Sequence, residues 1–322
     1  MQIIKIHHPM QPDEPLDQPV VLAMGFFDGV HRGHQAVIQR AKAIADGRGL
    51  TLAVLTYDHH PALVYRPLTE ADYHYLTVPQ RKFELFEQLG VDVVYQVGFT
   101  SQLSALTPQE FVDQYLVKFH AEVVVAGFDH TYGPKDTGNM DRLPEYAKDR
   151  FAIETVARHE EDDKKISSTR IRQNLADGHL NTVNQLLGYR YLTMGTVVHG
   201  EARGRTLGFP TANISHDTAY ALPGIGVYVT RVKIGSDWYQ AMTSVGRNVT
   251  FGENRPITVE AYLLDFDAAI YGEVVQVEWE TRLRGEVKFS SVDALVDQLK
   301  ADEQATRDYF NRQNPRISTR LN

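Results

Sequence analysis

Residues 20–34 read VVLAMGFFDGVHRGH: a short, unbroken apolar run, a glycine, and then a segment with helical spacing. This apolar run reads as a short strand that ends in glycine. Gly25 lets the chain turn sharply out of that strand into a helix beginning near His31. The same step makes an anion site, because the first N–H groups of a helix lack intrahelical partners and its dipole is positive at that end. His31 and His34 stand three apart on one helical face, so both can donate to one polyphosphate without either being a nucleophile. The HxGH spacing points to nucleotidyl transfer.

Periodicity divides the chain in two. Up to about Leu187, short apolar strands (Val20–Met24, Leu50–Thr56, Val91–Val97, Glu122–Ala126, Phe151–Ala157) alternate with helical segments, which predicts an open parallel α/β sheet. Thr107-Pro108-Gln109-Glu110 supplies an N-cap, a first-turn proline and a capping-box glutamate for one connecting helix. After a helix pair over 168–187, helical spacing vanishes from Tyr191 to Leu283. Strand-like runs (Met194–His199, Gly226–Ile234, Tyr239–Val245, Ile257–Phe266, Val274–Leu283) then predict a small antiparallel barrel, closed by helices from about Ser291. A boundary near Gly188 is expected, giving domains 1–187 and 188–322.

Two further loops of the first half follow strands, where an open α/β sheet places its ligands. Ile166-Ser167-Ser168-Thr169-Arg170-Ile171-Arg172 opens a helix with hydroxyls, N–H groups and Arg170 charge toward phosphate; alone, it reads as an N-cap with solvated arginines. Residues 127–135 (GFDHTYGPK) either stack on a planar ring or form an ordinary surface turn. Asp28 either positions the loop or a histidine, or accepts backbone N–H bonds in the turn. Asp58-His59-His60 resembles a metal cluster, but no second ligand group accompanies it, so a loop beside the nucleotide site is expected. The charged run 160–165 (EEDDKK) reads as a solvated loop, and Trp238 and Trp279 as packing residues.

In the second half, Gly200, Gly204 and Gly208 of GTVVHGEARGRTLGFPTAN permit close backbone approach to phosphate. Thr211 and Asn213 stand two apart, so in an extended segment their oxygens share a side as hard ligands for Mg²⁺; alone, they read as turn residues. Ile257, Val259, Ala261 and Leu263 take one strand face and leave Glu260 on the other.

Composition excludes other classes. The 322 residues include no cysteine, hence no disulfide, thiolate zinc site or cysteine nucleophile. The segment MQIIKIHHPM lacks the apolar core of a signal peptide, so a cytoplasmic location is expected. No stretch is apolar enough to span a membrane, and a net charge of −8 argues against a nucleic-acid partner. Nothing in the sequence reveals the oligomeric state.

GFFDGVHRGH, GFDHTYG and ISSTRIR, in this order and followed by a barrel containing GFPTAN, resemble the bacterial bifunctional riboflavin kinase/FAD synthetase (FMN adenylyltransferase) family over nearly the whole chain. The resemblance implies that the barrel domain phosphorylates riboflavin to FMN with ATP and Mg²⁺, and that the first domain transfers AMP from ATP to FMN, giving FAD and pyrophosphate. It makes His31, His34 and Arg170 catalytic, with Gly25, Phe26, Asp28, Gly29, Gly33, Ser167, Ser168 and Thr169 around ATP. It places Asp58, His60, Asp129 and Tyr132 by the flavin, Gly204 and Gly208 by the kinase ATP, and Thr211 and Asn213 on the metal. Glu260 matches the base that receives the ribityl hydroxyl proton. Departures from the family pattern (His59, His130, Thr131, Tyr132, Asn139, Val249) cluster on flavin loops. They allow an alternative: a riboflavin kinase whose first domain is a degenerate nucleotide or flavin sensor.

Overall fold

The computed structural model describes residues 1–11, 17–67, 74–158, 160–161, 164–201, 203–247 and 257–312. Packing divides the chain into two compact units, Met1–Ser168 and Thr169–Asn322. Compactness thus separates the units before the helix pair 168–187, whereas periodicity changes after it.

The first unit is built on a parallel sheet of β1 (Gln2–Ile6), β2 (Val20–Met24), β3 (Thr51–Tyr57), β4 (Val93–Val97), β5 (Ala121–Gly127) and β6 (Ala152–Val156), in the order β1-β4-β3-β2-β5-β6. All five residues of β2 are buried, as a central strand under two helix layers requires. The sequence reading missed β1, a mostly exposed edge strand whose apolar residues do not stand out from their surroundings. The chain turns back between β2 and its neighbours β3 and β5, so the loops after these strands meet at one carboxyl-end crevice.

The helix expected after Thr107 is present with its complete capping box. After one turn it widens, and Val117 N–H bonds Val112 O at 3.0 Å. This π-turn buries Tyr115, whose neighbour Phe119 stacks on Tyr95 of β4.

The second unit contains a closed antiparallel barrel of β9 (Tyr191–Val198), β10 (Ala212–His216), β11 (Gly226–Ile234), β12 (Asp237–Gly246), β13 (Thr258–Leu263) and β14 (Val274–Arg284). The short pairs β7 (Glu160–Glu161) and β8 (Lys164–Lys165) form a separate ribbon in the first unit. The expected barrel lacked β10, because its residues follow Pro210 in a loop-like composition. That strand closes the barrel by pairing with both β9 and β13. Trp279 is fully buried and donates to Thr193 Oγ1 at 3.0 Å, while Asn184 Nδ2 donates to Trp279 O at 2.9 Å and ties helix Leu180–Leu187 to the barrel. The terminal helix Val292–Arg312 is clamped by Arg284 donating to Asp302 (2.7 Å) and by Tyr309 Oη donating to the buried Glu280 (2.9 Å).

Candidate active sites

In the first unit, Gly25 continues the sheet by donating to Leu55 O at 3.1 Å, and a side chain at this position would strike the Phe27 ring. Phe27 (φ 57°) and Val30 (φ 35°) then take left-handed conformations that disfavour both residue types. Such strain costs about 1–3 kcal/mol per residue and persists only where the surroundings fix it. Here they do. Gln35 Nε2 donates to Val30 O at 2.7 Å, and Asp28 Oδ1 accepts from Leu76 N (2.9 Å) and Thr77 N (3.1 Å). Gly29 N–H donates to Thr77 Oγ1 at 2.9 Å, which ties the loop to the segment before helix Pro79–Gln88. Asp28 thus accepts backbone N–H bonds from the segment 76–77 and holds its loop against it.

His31 is both cap and ligand candidate. Its Nδ1 accepts from His34 N at 3.3 Å, capping helix Arg32–Arg48. That bond puts the proton of the neutral ring on Nε2, which makes that nitrogen a donor. The two imidazoles stack with centroids 3.6 Å apart. Burial, then repulsion by His31, Lys82 and Lys165, holds His34 well below the usual imidazole range. Near neutral pH it is therefore a neutral donor rather than a cation. Of the first three N–H groups of the helix, that of His34 is capped, leaving those of Arg32 and Gly33 without intrahelical acceptors.

Ser168 Oγ donates to Asp28 O at 2.8 Å, joining the loop after β2 to the start of helix Ser168–Ala176. Ser167 precedes that helix half-buried, and Thr169 and Arg170 lie in its first turn, on the second-unit side of the division. The charged run holds more than a solvated loop: Lys165 pairs with Asp129 and lies 5.4 Å from the Phe128 ring centroid, while Arg32 donates to Glu161 at 2.8 Å. Lys165 thereby joins the site unannounced by the sequence. Lys82, likewise missed, is buried beneath Phe26.

The expected flavin set divides. His60 meets Phe26 edge-on (5.1 Å) beside the nucleotide loop. Asp58 accepts from Phe99 N (3.0 Å) and contacts His59 Nδ1 (2.7 Å), organising the loops after β3 and β4. Tyr132 is turned inward, 8% exposed and packed on Phe111, and the cavity it lines with Tyr57, Phe99 and Phe111 is about 100 Å³, too small for a planar tricycle as it stands. The aromatic that the 127–135 loop exposes is Phe128. Val249, on which another departure falls, lies outside the described residues.

The barrel brings its expected residues together. Asn213 pairs with Glu260 across β10 and β13, and Thr211 Oγ1 donates to Glu260 Oε2 at 3.3 Å. Thr258, missed in sequence because it lies two positions before Glu260 in a plain strand pattern, donates to Oε1 at 3.2 Å. A Cβ on Gly200 would strike the Asn213 amide, and one on Gly204 would strike Phe209 O. These two glycines thus make room for the protein's own groups, whereas Gly208 (φ 82°) makes the turn into Phe209. Beside Thr211 opens a cavity of about 400 Å³, lined also by Arg205, Pro210, Leu263 and Tyr271, a size suited to a nucleotide. Among the described residues no three His, Asp or Glu side chains converge as a metal cage.

Family profiles match both halves: FAD synthetase over residues 13–170 and riboflavin kinase over 187–310. The chain is 48% identical to a bifunctional riboflavin kinase/FMN adenylyltransferase of Listeria monocytogenes, covering 96% of this chain and 98% of the relative. It is 39% identical to that of Bacillus subtilis (96% and 98% covered) and 34% identical to that of Escherichia coli (92% and 94%). A crystal structure from Streptococcus pneumoniae, described as a macrolide-efflux protein, superposes with a TM-score of 0.88 at 39% identity, covering 95% of this chain and 99% of that one. Among the described residues here, no helix is long and apolar enough to cross a membrane.

Proposed function

This chain belongs to the bifunctional riboflavin kinase/FMN adenylyltransferase family, and from that premise we propose how its residues divide two reactions. The barrel phosphorylates riboflavin with ATP to give FMN. The sheet unit then transfers AMP from a second ATP to FMN, giving FAD and pyrophosphate.

In adenylyl transfer the FMN phosphate oxygen attacks the α-phosphorus and the bond to the bridging oxygen of pyrophosphate breaks. The nucleophile is already an anion, so the protein's work is alignment and stabilisation of the leaving charge. His31 and His34 donate to that charge from a rigid stack, with the Arg32 and Gly33 N–H groups beside them; Ser167 and Ser168 complete the phosphate site. Lys165 and Asp129 flank it, and Phe128 offers the flavin a ring face.

In the kinase reaction the ribityl hydroxyl attacks the γ-phosphorus, ADP leaves, and the hydroxyl proton passes to the Glu260 carboxylate. A carboxylate is too weak to ionise an alcohol beforehand, so Glu260 orients the hydroxyl and accepts its proton late, in a loose transition state. The Thr211 and Thr258 hydroxyls hold one carboxylate oxygen each. Mg²⁺ fits Thr211 and Asn213, which offer neutral oxygen donors and leave the remaining ligands to ATP and water. When bound it neutralises phosphate charge. We place both reactions in the cytoplasm, where ATP is at hand, and the functional boundary near Gly188.

Two observations carry this reading: Thr211, Asn213 and Glu260 converge from β10 and β13 within the barrel unit, and His31 stacks on His34 within the sheet unit. Exchange of each site in the full chain tests it. Glu260→Gln should stop FMN formation from riboflavin yet still make FAD from supplied FMN, and His31→Ala should do the reverse. Loss of both activities in either variant contradicts the division.

A further inference from the structure

Beneath the nucleotide loop of the sheet unit lies a cation that neither reaction above employs. Lys82, on helix Pro79–Gln88, is 3% exposed. Its Nζ donates to Phe26 O (3.1 Å) and Thr56 Oγ1 (3.3 Å) and sits 4.5 Å from the Phe26 ring centroid. Both acceptors are neutral, and a buried cation without a carboxylate partner is costly. The same helix supplies Phe86 against Phe27 (5.7 Å), and Thr77, just before it, bonds Asp28 and Gly29. The loop carrying His31 therefore rests on this helix at several points, and Lys82 is its charged one.

We propose that Lys82 is a positioning residue for adenylyl transfer: it fixes the Phe26 carbonyl, and through it the left-handed turn at Phe27, while its ammonium form places a positive charge under the bound polyphosphate. This rests on reading the unit as an FMN adenylyltransferase. The ionisable groups around Lys82 are Asp28 ahead of the first helix, His34 upon it, Asp58 after β3, and His60 and Tyr75 against the Phe26 ring. On its own helix, Arg81 pairs with Glu84 at 2.9 Å. Burial lowers the lysine to about 8 against the pull of Asp28 and Asp58, so the ammonium is charged at pH 7 and loses its proton as pH rises through 8.

The test is the pH profile of kcat/KM for ATP in FAD formation from FMN, using full-length wild type, Lys82→Met and Lys82→Arg, with riboflavin phosphorylation in the same samples as a control for folding. The wild type should lose activity above about pH 8 as the ammonium deprotonates. Lys82→Met should fall about tenfold or more at pH 7 and lack that alkaline limb, while its kinase rate is kept. In Lys82→Arg the limb should move beyond about pH 9.5, since a guanidinium stays charged there. Wild-type kcat/KM in Lys82→Met, or a limb still near pH 8 in either variant, overturns the proposal; should Lys82→Met not fold, the limb of Lys82→Arg decides. A wild-type chain that makes no FAD at all refutes the underlying activity instead.

Discussion

His31 offers the sharpest separation of structure from chemistry, because one ring does both jobs. Its Nδ1 caps helix Arg32–Arg48 by accepting from His34 N at 3.3 Å, and its Nε2 is the donor assigned to the leaving pyrophosphate. His31→Ala removes both. Loss of a cap costs about 1 kcal/mol, which in a unit of this size lowers its Tm by roughly 2–4 °C. Loss of a preorganised donor costs about 2.7–4 kcal/mol of transition-state stabilisation, or roughly 10²–10³ in rate. His31→Asn separates the two, since asparagine is a good cap acceptor but carries no imidazole N–H. His31→Asn should restore the Tm lost in His31→Ala while FAD formation from FMN and ATP stays low in both, with riboflavin phosphorylation unchanged. Thermal unfolding and chromatographic rates on the same preparations measure this. Wild-type FAD synthesis in His31→Asn would show that His31 is a helix cap alone and refute the donor role.

In the barrel, Glu260→Gln should lower kinase turnover about 10²-fold or more at every Mg²⁺ concentration, whereas Thr211→Ala should recover in part as Mg²⁺ is raised; wild-type turnover in Glu260→Gln would send the search for the base elsewhere. A fragment of residues 186–322 should convert riboflavin to FMN and make no FAD, and FAD from that fragment would break the domain assignment. His216 donates from Nδ1 to Ile214 O (3.2 Å) and accepts at Nε2 from Thr193 (3.1 Å), and burial lowers it to about 4. The unfolded chain then takes up the proton first, so barrel stability should fall as pH drops from about 6.5 toward 4, by on the order of 1–3 kcal/mol. Fluorescence of Trp238 and Trp279 follows that unfolding, and an unchanged acid slope in His216→Gln would refute the assignment.

The architecture was readable wherever one residue pattern dictated one solution. The short apolar run ending in Gly25 marks β2, and the capping box at Thr107 fixes a helix start to the residue. β1 and β10 escaped because each depends on distant partners: the first on β4 for an edge, the second on β9 and β13 to close a barrel. The site divides in the same way. The histidine pair, Ser168, Thr211, Asn213 and Glu260 carry local signatures, and the fold brings them to their loops and strands. Lys82 and Lys165 carry none, being a lysine in an amphipathic helix and a lysine in a charged run, and only long-range packing brings them to the nucleotide loop. Tyr132 erred in the other direction, because sequence reveals an aromatic in a loop but not that Phe111 covers its ring.

Incubation of the whole chain with riboflavin, ATP and Mg²⁺ tests whether one chain performs both reactions in order. Chromatography over time should show FMN rising first and FAD following at its expense. FMN that accumulates while no FAD forms, even when FMN is supplied in excess, would contradict the account and leave the first unit a nucleotide or flavin sensor.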